Sequence, residues 1–253
     1  LTLGMTPDEI MLDVFAKADN PNSGGRQMPT HWSQRDLRIV SSSSPVGTQV
    51  PLTAGLAWAA KLRGEDSVAV TYMGEGSTSQ GDFHEGLNFA AVHHLPLIVV
   101  VENNGYAITE VQAKEMVIHD VADRAAAYGI KGLVVDGNDV LLVYRNMHQA
   151  VEEVRRGGGP ILFEAKTYLT VPHSSDDDDR RYKPRAELEE WLRRDPIDRF
   201  RRHLKNDGIL TDEHADQLIQ EAEDEVRRAE AEAEAAADPD PATLLDHLFG
   251  DPS

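Results

Sequence analysis

Two short polar motifs stand thirty positions apart in this sequence, and each follows an apolar run typical of a strand. The first is Gly74-Glu75-Gly76 and the second is Asn103-Asn104. Glu75 supplies a carboxylate oxygen and Asn104 an amide carbonyl oxygen, which are the hard ligands that Mg²⁺ prefers. The two glycines allow the backbone to pass close to a phosphate group. The pair therefore predicts a site for magnesium and a diphosphate, although either motif alone is typical of an ordinary turn.

Strands and helices alternate through the middle of the chain with short connections. This alternation predicts an α/β fold with a doubly wound, mostly parallel sheet. In such a sheet both motifs lie at the carboxyl edge, which is where α/β sheets bind ligands. The predicted strands are 67–73, 97–101, 130–135 and 161–165, and the helices between and around them are 79–93, 120–128 and 140–156.

Helices are predicted on both sides of this region. Thr6-Pro7 is a capping residue followed by a proline at the first helical position, within an amphipathic stretch from Leu3 to Ala18. A second helix over 49–63 is rich in small residues that permit close packing against a neighbour, and Gly64 ends it. From Arg185 the pattern is helical only. We therefore predict an α/β domain over 1–184 and a helical C-terminal extension over 185–253.

Within the extension, the longest predicted helix covers 211–237. One apolar stripe runs along it, formed by Ala215, Leu218, Ala222, Val226, Ala229 and Ala233.

Composition excludes several classes of protein. Aspartate and glutamate number 44 against 25 lysines and arginines, and the formal net charge of −19 argues against nucleic-acid binding. The chain has no cysteine, so a disulfide framework, a thiolate nucleophile and a cysteine metal site are excluded. No apolar run is long enough to cross a bilayer, and no secretory signal opens the chain. These features predict a cytoplasmic protein that does not bind membranes.

A nicotinamide-dinucleotide site is the competing interpretation of the first motif. The residues from Gly74 to Ser79 nearly fit the G-x-G-x-x-G fingerprint, and Glu102 could hold a ribose hydroxyl. The third glycine is absent, however, and the fingerprint normally follows the first strand rather than lying beyond residue 70. The magnesium and diphosphate interpretation is therefore preferred.

Longer segments around both motifs resemble a known family. The stretch from Gly74 to Ala91 and that from Glu102 to Ile108 are similar to the thiamine-diphosphate motif of the α subunits of 2-oxoacid dehydrogenases. Further segments resemble the same family in the same order: Gly25 to Trp32, Ser43 to Gln49, Asp136 to Asp139, His173 to Tyr182 and Trp191 to Phe200. Three of these segments favour the branched-chain type over the pyruvate type: Gly74-Glu75-Gly76, Ser43-Ser44-Pro45 and Asn104-Gly105-Tyr106-Ala107-Ile108.

The resemblance implies a role for each matching residue. Glu75, Asn104 and the carbonyl of Tyr106 would hold Mg²⁺. Val46 and Ile108 would hold the cofactor bent, and His173 would be catalytic, on a loop near the reacting carbon. The full set of implied cofactor-binding residues is Ser44, Val46, Gly74, Glu75, Gly76, Ser77, Asn104, Tyr106, Ile108 and His173. A potassium ion would be held by Ser43, Pro45, Thr48 and Gln49.

The resemblance also implies partners. The enzyme would be an α₂β₂ heterotetramer in which the β subunit supplies the glutamate that activates the cofactor, so this chain would be active only with that subunit. The substrate would be a small 2-oxoacid, and the acyl group would pass to lipoamide on an acyltransferase core. The family has a longer N-terminal region with a Tyr-Arg pair that contacts the cofactor, and Leu1 to Gly25 does not match it.

Three alternatives remain at this point. A pyruvate or acetoin dehydrogenase α subunit would carry much the same motifs. A truncated, noncatalytic fragment could bind a partner through its acidic helices, and a nicotinamide oxidoreductase would bind a dinucleotide without metal.

Overall fold

The structure is a computed structural model that describes residues 1–41, 44–246 and 248. The chain forms two compact units. One comprises Leu1–Ser43 together with Gly208–Ser253, and the other is Ser44–Asp207. This division differs from the predicted boundary after residue 184, which stays a prediction about the family domain. All described residues with a predicted site role lie in the unit 44–207.

That unit contains a four-stranded parallel sheet and a small hairpin. The sheet has the order β1-β2-β6-β5, and β3 pairs with β4 in antiparallel fashion. The strands are β1 (Ala69–Gly74), β2 (Leu97–Asn103), β3 (Tyr106–Ala107), β4 (Glu110–Val111), β5 (Lys131–Asp136) and β6 (Ile161–Lys166). Because the four sheet strands are parallel, their carboxyl ends share one edge.

Eight α-helices and four 3₁₀ helices accompany the strands in the described part of the chain. The α-helices are α1 (Pro7–Val14), α2 (Gln49–Arg63), α3 (Gly81–Val92), α4 (Gln112–Glu115), α5 (Val140–Arg155), α6 (Arg185–Leu192), α7 (Pro196–Asn206) and α8 (Asp212–Ala235). The 3₁₀ helices are Gly76–Ser79, Val121–Tyr128, Asp179–Arg181 and Pro241–Thr243. No helix among the described residues is long and apolar enough to span a membrane.

Apolar cores on both faces of the sheet confirm the doubly wound architecture. Successive residues of a strand point to opposite faces. On β2, Val99 and Val101 belong to a core built with α2 and α3, whereas Ile98 and Val100 belong to a core built with α5. Both cores are closed to solvent, which explains why β2 reads as a continuous apolar run.

The small residues of α2 do permit close packing, as predicted. A Cβ atom built on Gly86 of α3 would lie only 2.7 Å from the backbone nitrogen of Pro51 in α2. Ala54 and Ala57 of α2 are buried in the same core. This contact fixes α3 against α2, and α3 begins shortly after the first polar motif, beyond the 3₁₀ helix 76–79.

Several predicted elements have different bounds in the structure. The first helix is shorter than predicted. It begins at Pro7, where Thr6 and Glu9 form a capping box, and ends at Val14 before the left-handed Ala16. The segment 121–128 is a 3₁₀ helix rather than an α-helix, and the predicted helix 79–93 is divided at Gln80. The hairpin β3–β4 was not predicted, because strands of two residues leave no periodic signal.

The stripe on α8 is only partly buried. Ala215, Ala229 and Ala233 are buried, and α8 packs against α1 in the same unit. Leu218, Ala222 and Val226 are exposed, so only part of the predicted apolar stripe is covered. Alanines permit close approach of α1 along part of α8, and α1 is too short to cover the rest.

Candidate cofactor and metal site

Glu75 lies immediately after β1 and is buried, with 1% of its surface exposed. Its Oε2 accepts a hydrogen bond from the backbone N–H of Asn104 at 3.2 Å. The hydroxyl of Thr78 donates to the Glu75 carbonyl at 2.6 Å, which closes the turn into the 3₁₀ helix 76–79. The predicted pairing of the two motifs at the carboxyl edge of the sheet is therefore present.

The other carboxylate oxygen of Glu75, Oε1, is buried and has no hydrogen-bond partner in the described part of the chain. Burial raises the pKa of the Glu75 carboxyl, and the negative charges of Glu115 and Glu164 raise it further, against the opposing effect of backbone hydrogen bonds. A buried carboxylate with an open oxygen is costly unless a cation or proton is bound. The geometry therefore fits a metal ion at Oε1.

The second motif forms a turn that its own side chains build. Asn103 Oδ1 accepts from the backbone N–H of Gly105, and Asn104 Oδ1 accepts from that of Tyr106, both at 3.0 Å. Gly105 has a φ of +84°, a conformation that favours glycine. The backbone of this turn contacts Glu75 at Asn104. The amide oxygen of Asn104 and the backbone carbonyl of Tyr106 are, like the Glu75 carboxylate, oxygen donors of the kind that Mg²⁺ prefers.

The glycines around Glu75 have different surroundings. A Cβ built on Gly74 meets no atom within 4 Å, whereas one built on Gly76 would lie 2.6 Å from the Cβ of Ala107. Gly76 is therefore required for the close approach of the two turns, and Gly74 borders open space. Ser77 is partly buried in the 3₁₀ helix that follows.

The segment 44–49 packs beside the first motif. Gly47 is buried with a φ of +95°, and a Cβ built there would lie 2.9 Å from the Cβ of Gln80. The side-chain amide of Gln49 donates to the carbonyl of Tyr72 on β1 at 3.2 Å. Ser44 and Val46 are exposed next to this anchor. Two of the implied cofactor-binding residues thus lie on a loop fixed to the same edge of the sheet.

The potassium set is described in part. The Thr48 hydroxyl donates to the carbonyl of Pro45 at 2.9 Å, so these two residues and Gln49 share one turn. Ser43, the fourth predicted ligand, lies outside the described residues.

Ile108 has a strained backbone. It is the first residue of the two-residue loop between β3 and β4, with a φ of +60° and 57% of its surface exposed. Such loops favour glycine at this position, and a β-branched residue with positive φ is rare. Strained residues are concentrated at functional sites. The exposed, strained Ile108 is consistent with its implied contact to a cofactor.

His173 is exposed on the loop after β6. Its backbone N–H donates to Asp177 at 3.0 Å, and the described contacts do not connect it with Glu75 or Asn104. Lys183, which is buried, holds the loop closed by donating to the carbonyls of Leu169 at 2.7 Å and Val171 at 3.1 Å. The role of His173 stays a prediction.

Two buried carboxylates near the site were not singled out from the sequence. Glu115 Oε2 is buried and has no hydrogen-bond partner among the residues that the structure describes, and it lies 3.2 Å from a Cβ built on Gly76. Glu164 is fully buried on β6. A glutamate within the otherwise apolar strand 161–165 was a visible signal for the second, whereas Glu115 lies in a polar stretch with no such contrast.

The donor set explains why residue types alone do not reveal the site. Among the residues that the structure describes, no three or more His, Cys, Asp or Glu side chains form a group that could hold a metal. The candidate site instead combines one carboxylate with an amide oxygen and a backbone carbonyl.

Comparison with known proteins gives close relatives. The chain is 47% identical over 249 residues to the 2-oxoisovalerate dehydrogenase subunit alpha of Bacillus subtilis (strain 168), which covers 98% of this chain and 76% of that protein. It is 42% identical over 206 residues to the pyruvate dehydrogenase E1 component subunit alpha of Bacillus cereus, and 39% identical over 206 residues to that of Staphylococcus aureus (strain MRSA252). These two matches cover 81% of this chain and 54% of the relatives.

A sequence model of a whole family matches as well, over residues 1–242. This range contains the parallel sheet, both polar motifs and the helices through α8. Together with the 47% identity over nearly the whole chain, this match shows that the chain belongs to the dehydrogenase E1 component family.

Proposed function

We propose that this chain is the α subunit of a branched-chain 2-oxoacid dehydrogenase. The E1 dehydrogenase family depends on thiamine diphosphate. The higher identity to the 2-oxoisovalerate enzyme than to the pyruvate enzymes favours the branched-chain substrate class. The observation that carries the proposal is the buried Glu75 carboxylate. One of its oxygens accepts a hydrogen bond from Asn104, and the other has no hydrogen-bond partner among the described residues.

Mg²⁺ would be held by Glu75 Oε1, the amide oxygen of Asn104 and the carbonyl of Tyr106. These oxygens supply only part of the coordination shell, and magnesium usually completes it with phosphate oxygens and water. Gly76, Ser77 and Ser44 would approach the diphosphate, and Gly74 leaves room beside it. When bound, the cofactor supplies the nucleophilic carbon that attacks the 2-oxoacid and stabilises the charge left by decarboxylation.

Exposed apolar side chains would contact the organic part of the cofactor. Val46 is 54% exposed and Ile108 is 57% exposed, so both have apolar surface available for such a contact. Val46 directly precedes Gly47, which packs against Gln80. His173 would bind the diphosphate or stabilise the transition state of acyl transfer.

The remaining roles belong to partners. A β subunit would complete the cofactor site at the carboxyl edge of the sheet and supply the activating carboxylate. The two kinds of chain would form an α₂β₂ assembly that delivers the acyl group to lipoamide on an acyltransferase core. The turn that contains Pro45, Thr48 and Gln49 would hold K⁺ beside the diphosphate loop. We also propose a cytoplasmic location, which rests on the cysteine-free sequence alone.

Reconstitution tests this function. The chain is expressed alone and together with the β subunit encoded for the same complex, and thiamine diphosphate binding is titrated with and without Mg²⁺. We expect weak binding and no decarboxylation by the isolated chain, and magnesium-dependent binding and turnover by the pair, because a ligand that contacts both chains stabilises their complex. Turnover by the isolated chain, or binding that ignores Mg²⁺, would overturn the proposal.

The same preparation distinguishes the remaining candidates. Faster turnover of 3-methyl-2-oxobutanoate than of pyruvate supports the branched-chain class, and the reverse order supports a pyruvate dehydrogenase. A noncatalytic fragment would show no magnesium-dependent cofactor binding even with the β subunit present.

A further inference from the structure

Glu164 is a glutamate in the middle of the sheet core. It lies on β6 opposite Val101 of β2, with no exposed surface. A buried carboxylate is costly unless hydrogen bonds and a counter-charge offset its desolvation. Its neighbours on β6, Phe163 and Ala165, are apolar and buried. A residue that stabilises only the core would be apolar at this position. The hydrogen-bond partners of Glu164 therefore indicate what its carboxylate does.

The carboxylate of Glu164 connects three parts of the chain. Oε1 accepts from the side-chain amide of Asn103 at 2.6 Å and lies 2.6 Å from the ammonium nitrogen of Lys166. Oε2 accepts from the backbone N–H of Ala122, at the start of the 3₁₀ helix 121–128, at 2.8 Å. All three partners are donors, so a charged carboxylate satisfies every one of them.

Asn103 transmits this anchoring to the second polar motif. Its amide nitrogen donates to Glu164 and also to Gln112 Oε1 at 2.9 Å, and its Oδ1 accepts from Gly105 at 3.0 Å. Its backbone carbonyl accepts from Thr167 at 2.8 Å. The side chain therefore has one orientation, and that orientation sets the path of the backbone through Gly105.

Asn104 follows directly and makes the contacts of the candidate metal site. Its N–H donates to Glu75, and its amide oxygen accepts from Tyr106. A rotation of the preceding residue would move both groups. The chain of contacts therefore runs from Glu164 through Asn103 to the two residues proposed to supply an amide oxygen and a carbonyl oxygen to magnesium.

We propose that Glu164, acting through Asn103, is a positioning residue that holds the Asn104 turn ready for the metal ion. The inference rests on the proposed function for the metal itself, whereas the orientation of the turn is a property of the chain without metal. Groups that orient metal ligands typically contribute 10- to 100-fold to metal affinity. Glu164 touches neither the metal nor the substrate in this proposal.

The primary test is hydrogen exchange in the full chain without metal or cofactor. In Glu164→Gln the new amide must set its NH₂ group against one of the three donors. We expect exchange of the Asn104, Gly105 and Tyr106 amides to accelerate about tenfold, the effect of losing roughly one hydrogen bond. Glu102→Gln is the matched control, because Glu102 is exposed and lies next to Asn103. Unchanged exchange at 104–106 in Glu164→Gln, or equal acceleration throughout the sheet, would overturn the proposal.

A double variant tests the connection through Asn103. Asn103→Asp alone places two carboxylates face to face. Combined with Glu164→Gln, it reverses the hydrogen bond while keeping the charge of the cluster and the acceptor for Gly105. We expect exchange at 104–106 in the double variant to be slower than in either single variant. Failure of both Glu164→Gln and the double variant to fold would place Glu164 in the folding core only and overturn the positioning role.

The last measurement separates this inference from the proposed function. Mg²⁺ is titrated in the presence of thiamine diphosphate, using the chain assembled with its β subunit. We expect Glu164→Gln to weaken apparent Mg²⁺ affinity about 10- to 100-fold and Glu102→Gln to leave it unchanged. If the unaltered protein shows no Mg²⁺ dependence, the proposed function fails, and hydrogen exchange without metal still decides whether Glu164 orients the turn.

Discussion

The backbone N–H of Asn104 donates to the carboxylate of Glu75, although the two residues are 29 positions apart in the sequence. This bond joins the ends of β1 and β2, and Glu75 Oε1 has no hydrogen-bond partner within residues 1–41, 44–246 and 248. Because burial raises the pKa of Glu75, the folded chain binds more protons than the unfolded chain between the two pKa values. Stability therefore falls as pH rises through that range, and above it the folded chain carries an unfavourable buried charge.

Glu75→Gln removes this charge. We expect the chain without metal to be stabilised at neutral pH by about 1 kcal/mol, because an unpaired buried charge costs more than an unpaired buried amide. The same variant should lose magnesium-dependent thiamine diphosphate binding. Asn104→Ala should lose that binding without the gain in stability. Urea unfolding and cofactor titration measure the two effects, and Glu85→Gln, at an exposed position, serves as control. Retained magnesium dependence in both variants would show that the metal site is misassigned.

Magnesium binding should weaken on acidification at a higher pH than an ordinary glutamate would require. In the proposed site the metal would bind the carboxylate form of Glu75, and the pKa of that group lies above its ordinary value of 4.5, chiefly through burial and partly through Glu115. Glu115→Gln should lower the pKa and move the midpoint of Mg²⁺ loss to lower pH. Glu110→Gln, on exposed β4, should leave the midpoint unchanged. Isothermal titration from about pH 4, near the ordinary pKa of glutamate, to about pH 7 checks this. A midpoint of Mg²⁺ loss that Glu115→Gln leaves in place would contradict it.

The loop that carries His173 should depend on one lysine. The segment from Val171 to Tyr182 is highly charged and has little apolar area to bury, so we expect it to exchange faster without cofactor than with it. Lys183→Met removes the donor that closes this loop onto the carbonyls of Leu169 and Val171. Exchange in 169–182 should then accelerate even further, with little change in the sheet. Lys114→Met, at an exposed lysine, is the control. Equal exchange in both variants would show that Lys183 does not hold the loop.

Replacement of two glycines by alanine should change the stability of the chain in opposite directions. Gly86→Ala places a methyl group 2.7 Å from the backbone nitrogen of Pro51, so it should destabilise the chain by about 1–3 kcal/mol. Gly55→Ala, in the exposed middle of α2 with no atom within 4 Å of its Cβ, should stabilise the chain by about 0.5–1 kcal/mol. Chemical denaturation of the two variants measures both. A neutral Gly86→Ala would mean that α2 and α3 can separate at low cost.

Much of the fold could be predicted because the pattern repeats locally. Val99 and its neighbours form a continuous apolar run, and Gly64 stops α2 at the predicted residue. Pairing of Glu75 with Asn104 followed from the parallel sheet, since both end a strand at one edge. The helix predicted over 120–128 is a 3₁₀ helix in the structure. The bond from the backbone N–H of Ala122 to the Glu164 side chain is a long-range contact that periodicity does not contain.

The residues that orient the candidate site, Glu164 and Asn103, could not be predicted, because their contact is also long-range. Glu164 and Asn103 are 61 positions apart, and only the insertion of β6 beside β2 brings them together. Ile108 was assigned through family resemblance, yet its left-handed backbone is visible only in the structure. Residue type and spacing thus identified Glu75 and Asn104, and the resemblance supplied most of the other groups proposed to bind the metal and cofactor, whereas the groups that orient them required the tertiary structure.

The strand order has a consequence for synthesis of the chain. β6 leaves the ribosome after every other strand of the sheet, but its place is between β2 and β5. Until β6 arrives, those two strands present unpaired apolar edges, which are the surfaces through which partly folded chains aggregate. Glu164, which accepts a hydrogen bond from the side chain of Asn103, arrives with the same strand. A ribosome-bound chain that stops before residue 160 can therefore hold both polar motifs and still lack the orienting carboxylate, so the fixed orientation of the Asn104 turn should appear late in synthesis.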